Sequence, residues 1–231
     1  MRSDADREMR RGRGLLRKVS IVVIVMSKTL KIAAAALAGV MVTTPVLADD
    51  GSGFMLRVRG IGVVPDEGGS TTIGGEPDVS NDYVPELDIS YFFTENIAAE
   101  LILATTKHDA KAKGTSIGDV DLGDVSLLPP TLTLQYHFTN FDKFKPYVGA
   151  GVNYTMFYNE DGANGLKVDY DNSFGVAAQV GFDYFLDENW ALNMDVKKLW
   201  LNTDVSINNG AIKGDVDIDP WIFGLGVGYK F

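Results

Sequence analysis

Few residues in this chain have the types and spacing that chemistry requires. Its 231 residues include two histidines, His108 and His137, and no cysteine. The histidines lie far apart and neither stands beside a serine in a hydrolase-type motif, so a nucleophile with its base has no support. Without cysteine there are no disulfides, no thiolate metal ligands and no lipid-modified cysteine. Asp215, Asp217 and Asp219 alternate, which sets three carboxylates on one strand face, and Asp119, Asp121 and Asp124 form a similar group. Such groups suit divalent cations, but calcium asks for more oxygen ligands than one strand face supplies. A solvated acidic rim is the reading adopted. His108, beside Asp109 in a stretch expected to be an external loop, is read as solvated. Gly149-Ala150-Gly151 and Gly224-Leu225-Gly226-Val227-Gly228 fall inside alternating segments and precede no helix, so they are wall residues and not a phosphate cradle. The expectation is a non-enzyme with no cofactor and no metal centre.

The elements that position the remaining polar residues are legible from the C-terminus. Phe231, Tyr229, Val227, Leu225, Phe223 and Trp221 occupy alternate positions, with Lys230, three glycines and Ile222 between them. Successive strand side chains point to opposite faces, so this is a strand with one continuous apolar face and one bare face. A wall between lipid and a crowded lumen asks for that pattern, with aromatic residues at both ends of the apolar band. The alternation recurs upstream. Leu56 and Val58 alternate with Arg57 and Arg59, and Leu87, Ile89 and Tyr91 with Glu86, Asp88 and Ser90. Ala99 and Leu101 alternate with Glu100 and Ile102, and Leu134 and Tyr136 with Gln135 and His137. Tyr184 stands beside Asp183, and Leu192, Met194 and Val196 alternate with Asn193, Asp195 and Lys197. About eight such segments are present, the smallest number that closes a transmembrane barrel. Lys198 falls on the lipid-facing parity, so it either snorkels towards a headgroup or marks a bulge. Short polar connections (94–96, 140–144, 187–189) alternate with longer ones (65–83, 107–124, 159–171, 207–213), the asymmetry of periplasmic turns and external loops. The turns at 93–98 and 185–191 echo each other, which is read as recurring hairpin chemistry.

The N-terminal region has the layout of an export signal. Met26 opens a basic segment with Lys28 and Lys31, an apolar run follows over 32–42, and Val46-Leu47-Ala48 precedes Asp49. This predicts a cleavable signal peptide at 26–48, cut after Ala48. Its apolar run is shorter than the roughly 20 residues of a spanning helix. Residues 1–25 are read as a non-native extension, with translation starting at Met26. The rival is an uncleaved anchor joining both apolar runs, which Lys28 and Lys31 interrupt. Residues 49–231 then make one barrel domain. It holds 12 Lys and Arg against 28 Asp and Glu, a formal charge of −16, against −10 for the whole chain. Such acidity argues against a nucleic-acid partner.

Three segments carry a family resemblance: LLPPTLTLQYHF (127–138), KPYVGAGVNYT (145–155) and DPWIFGLGVGYKF (219–231). Together with Tyr91-Phe92-Phe93 and the Glu95-Asn96 turn, they resemble the outer-membrane protein W (OmpW) family of small bacterial barrels over residues 54–231. The terminal aromatics Tyr229 and Phe231 also resemble the sorting signal of outer-membrane barrels. The resemblance implies an all-β, eight-stranded antiparallel barrel in the outer membrane of a Gram-negative bacterium, inserted by the barrel-assembly machinery among outer-membrane lipid and lipopolysaccharide. It further implies passage of small hydrophobic molecules.

A lumen of this size is just wide enough to be filled by side chains, so an open pore is not expected. With the N-terminus in the periplasm, Arg57, Arg59, Glu100, Gln135, His137, Asp183, Asp195 and Lys197 sort to the lower lumen and suit a paired polar plug. Ile61, Val63, Ile102, Phe157, Leu199, Leu201 and Ile222 sort to the upper lumen. Glu86 and Asp88 break this scheme, because the same sorting places them in the outer half. The upper residues serve either as packing or as a hydrophobic binding zone, from which a solute barred by the plug would have to leave sideways. The alternative function is a structural or surface-recognition barrel whose external loops act.

Overall fold

The computed structural model describes residues 53–231. The proposed extension, signal peptide and cleavage point lie outside the described residues. Fifteen strands follow in order: β1 (Gly53–Val64), β2 (Gly68–Thr71), β3 (Glu76–Val79), β4 (Asp82–Phe92), β5 (Ile97–Ala104), β6 (Thr106–Thr115), β7 (Gly118–Leu128), β8 (Thr131–His137), β9 (Phe144–Asp161), β10 (Val168–Tyr170), β11 (Ser173–Phe185), β12 (Trp190–Trp200), β13 (Asn202–Ile207), β14 (Ile212–Asp217) and β15 (Trp221–Lys230).

Eight of them close a ring in the order β1, β4, β5, β8, β9, β11, β12, β15 and back to β1, every neighbour antiparallel. The first and last strands meet in unbroken register from Met55 opposite Lys230 to Val64 opposite Trp221. Closure matters because lipid offers no hydrogen bonds to an unpaired strand edge. The outward parity is the apolar one: Leu225 is 66% exposed and Phe174 67% exposed, as expected of side chains that meet hydrocarbon. Trp190, Tyr229 and Phe231 form an edge-to-face row at the short-turn end. Trp200 and Trp221 face outward near the other end. Tyr229 and Trp221 are eight residues apart, about 26 Å along the strand.

The two echoing turns use the same local chemistry. Thr94 Oγ1 accepts from the backbone N–H groups of Asn96 and Ile97, and Asp187 Oδ1 accepts from those of Asn189 and Trp190. In each turn the asparagine then ties to the neighbouring strand: Asn96 Nδ2 donates to the His137 carbonyl at 2.7 Å, and Asn189 Nδ2 to the Lys230 carbonyl at 2.8 Å.

Three of the four long connections, 65–83, 107–124 and 159–171, contain strands where the sequence suggested loops. β6 and β7 form a hairpin over 106–128 that pairs onto the outer half of β9, with β3 on its other side. β10, β13, β14 and β2 form a second small sheet. Polar sequence on the outer face of these strands hid their inward alternation. The register of β12 is continuous through Lys198, so no bulge is present. Lys198 reaches up to Asp66 at 2.9 Å and to the Asp219 carbonyl at 2.6 Å, with its ammonium over the Trp221 ring. It snorkels.

Candidate functional site: a sealed lumen beneath two apolar cavities

β1 supplies the two arginines that organise the lower lumen. The Arg57 guanidinium holds Asp183 through two bonds, Nε to Oδ1 at 3.0 Å and Nη2 to Oδ2 at 2.7 Å, while Nη1 reaches Glu100 at 2.9 Å and Ser90 at 2.6 Å. The Arg59 guanidinium lies 2.7 Å from Asp88, 2.9 Å from Glu86 and 2.7 Å from Asp195. Lys197 Nζ donates to Glu86 at 2.7 Å. Gln135 and Gln179 both donate to Glu100, His137 bonds Gln135, and Asn193 donates to Asp183 and to the Tyr147 hydroxyl. All these side chains are buried. Five carboxylates thus share three cations, and each touches at least one.

Every polar residue assigned to the lower lumen from sequence belongs to this plug. Glu86 and Asp88 belong to it too, contrary to their assignment to the outer half. Register is the reason: Glu86 stands directly opposite Arg59, and Asp88 opposite Arg57. Ser90, Asn193 and Tyr147 were not singled out from sequence, although all share the inward parity.

The glycines of β15 explain how two arginines fit in so narrow a lumen. A Cβ at Gly226 would stand 2.7 Å from Arg59 Cγ, and one at Gly228 would stand 3.1 Å from Arg57 Cγ. The bare face of the last strand is where the arginine stems lie. Below the plug, Met55, Phe92, Ala98 and Ala191 form an apolar floor at the short-turn end.

Above the plug the lumen turns apolar. Ile61, Val63, Leu199, Leu201 and Ile222 form one buried cluster with Val125, Leu127, Ala177 and Ile218, against which Phe157 packs. Ile102 is buried but lies outside it. Its neighbours in register are Asp88 and Thr131, so it sits at plug height and lines neither cavity. A cavity of about 40 Å³ occupies the barrel mouth, with the Glu86–Lys197 ion pair in its wall. A larger one of about 250 Å³ lies further out, between the β6–β7 hairpin and the second sheet. Val205, Ile207, Val125, Leu122 and Tyr170 are among its walls, and Tyr170 stacks on Phe157 at 5.5 Å. The two cavities share His108, Leu127 and Ile218. Most of the outer cavity was invisible to sequence reading because its residues lie in stretches read as loops.

His108 departs furthest from the sequence expectation. It is buried, not solvated, and its Nδ1 lies 2.6 Å from the Ser80 carbonyl. Of the acidic residues read as a rim, Asp215 and Asp217 face outward from β14, whereas Asp219 lies beyond its end, half-buried, and its Oδ1 accepts from the Leu201 N–H at 2.8 Å. Among the described residues no group of three or more acidic, histidine or cysteine side chains is placed to hold a metal ion.

Beside the mouth the wall is interrupted. β6 pairs with β7 up to Thr106 opposite Leu127, and β5 pairs with β8 from Ile102 opposite Thr131. Between these points lie Pro129 and Pro130, which have no N–H to give a ladder. Asn153 Nδ2 caps both proline carbonyls from β9, at 3.1 and 3.4 Å.

The closed ring, the outward apolar band and the plugged lumen agree with a match of the OmpW family model to residues 50–231. The chain belongs to the OmpW family. It is 51% identical over 186 residues to the uncharacterized outer-membrane protein y4mB of Sinorhizobium fredii, covering 78% of this chain and 80% of that one. The crystal structure of the outer membrane protein OprG from Pseudomonas aeruginosa superimposes with a TM-score of 0.72 at 34% identity, over 78% of this chain and 96% of OprG. A more distant relative is the dibenzothiophene metabolism operon protein PahQ of Pseudomonas aeruginosa, 27% identical over 71% of this chain and 78% of that one. This OmpW-family barrel therefore resides in the outer membrane of a Gram-negative bacterium.

Proposed function

We propose that this OmpW-family barrel conducts small hydrophobic solutes from outside the cell into the outer membrane. The observation that carries the reading is the pair of apolar cavities above a sealed plug: they offer a binding zone open to greasy solutes and no straight way down. Transfer of an apolar solute from water into such a site is favourable by about 25 cal/mol per Å² buried. The plug refuses it, because separating the shared ion pairs would strand buried charge. The exit we assign is the break at Pro129 and Pro130, where two residues have no N–H to give a ladder and where the mouth cavity touches Pro129 and Thr131. The name of the relative PahQ, tied to dibenzothiophene metabolism, fits an apolar aromatic solute. No step in this role is enzymatic. Lipopolysaccharide would surround the outer sheets, and Tyr229 with Phe231 would be read by the barrel-assembly machinery.

The test is uptake of dibenzothiophene by cells that lack other OmpW-type barrels. Leu199→Asp sets a charge in the apolar cluster, where burial penalises it, and should lower uptake at least tenfold. Heat-modifiable gel migration checks that the barrel still folds. Normal uptake by a folded Leu199→Asp protein would refute the conduit. It would then favour recognition by the outer sheets, whose built strands are the observation supporting that second reading.

A further inference from the structure

We infer that His108 is a polar selector at the junction of the two cavities, and that the preferred solute is an amphiphile with a hydrogen-bond donor, such as a medium-chain alcohol or a phenol, over a bare hydrocarbon. This rests on the conduit reading above and names the solute class for it. His108 is buried and lines both cavities, so a solute passing from the outer one to the mouth passes its ring. The Ser80 carbonyl, 2.6 Å from Nδ1, can only accept, so Nδ1 carries the hydrogen. In the neutral imidazole this fixes the tautomer and makes Nε2 an acceptor. Glu86, the carboxylate in the mouth wall, is already held by Arg59 and Lys197. Thr71 and Thr203 direct their hydroxyls to the carbonyls of Gly74 and Asp171. At the mouth, Thr131 and Thr155 bond Pro129 and Asn153. A hydroxyl arriving on an otherwise apolar solute would find its partner at Nε2, whereas without it the desolvated hydroxyl would be penalised.

The full chain carries two histidines, so its imidazole nitrogens are few enough to follow individually. The experiment records ¹⁵N spectra of the histidine rings in lipid nanodiscs with 1-octanol or n-octane added, using His108→Phe to assign the signals. 1-Octanol should move the His108 Nε2 signal and n-octane should leave it in place. Equal response to both, or response to neither, would overturn the selector. In cells, the ratio of 1-octanol to n-octane uptake should fall about three- to tenfold in His108→Phe, as expected for loss of one hydrogen bond, and His108→Gln should recover part of it. An unchanged ratio overturns the selector while the conduit stands. If neither compound enters through the wild-type barrel yet 1-octanol still moves Nε2, the conduit falls and the binding site stands.

Discussion

Arg57 and Arg59 show what a single residue does in this barrel. Each is buried, each lies within ion-pair distance of two or more carboxylates, and each lies over a glycine that makes room for it. Removing one partner from such a network leaves its neighbours charged and unpaired. Arg57→Met should therefore destabilise the barrel by about 3–5 kcal/mol in a urea refolding titration, while Lys107→Ala, which breaks an exposed pair with Asp124, should leave the midpoint unchanged. Equal effects would mean that the plug is hydrated in solution. The alternation of Arg57 and Arg59 with Leu56 and Val58 was enough to place them in the lumen. It did not tell the height of Glu86 and Asp88, because height depends on the stagger between strands. Nor did it find His108, whose burial depends on Ser80 and on β3, elements that a sequence read as loop does not announce.

Strands are the level at which the wall and its break are decided. β15 carries its large residues outward, and an arginine near the bilayer midplane costs about 2–4 kcal/mol in such barrels. Leu225→Arg should impair refolding into vesicles by that amount, whereas Asn209→Arg, in the outer β13–β14 turn, should not. A Leu225→Arg protein that refolds like wild type would contradict the outward assignment. Deleting Phe231, whose N–H donates to the Phe54 carbonyl and whose ring is exposed, should reduce assembly in cells more than refolding in detergent. Equal losses would make it a structural closure and not a signal. Replacing Pro129 and Pro130 together by alanine returns two N–H donors to the wall. Uptake of dibenzothiophene should fall with folding intact, and unchanged uptake would remove this break as the exit. Periodicity made all eight barrel strands legible, since each must alternate to separate lipid from lumen. The outer strands were not, because water on one side and the outer cavity on the other leave a weaker contrast.

At the scale of the whole molecule, three layers lie along the barrel: an apolar floor, a charged plug and an apolar upper chamber of two cavities that share His108, Leu127 and Ile218. The floor and plug seal the lumen, so any solute held above them must return or leave through the wall. A conduit of this kind must hold hydrophobic solutes in the upper chamber. A crystal structure of the barrel soaked with 1-bromooctane, located by the anomalous signal of bromine, tests it most directly. Bromine should appear inside the chamber bounded by Leu199, Val205 and Phe157. Bromine found only along the outward faces of the strands, with the chamber empty, would refute the conduit.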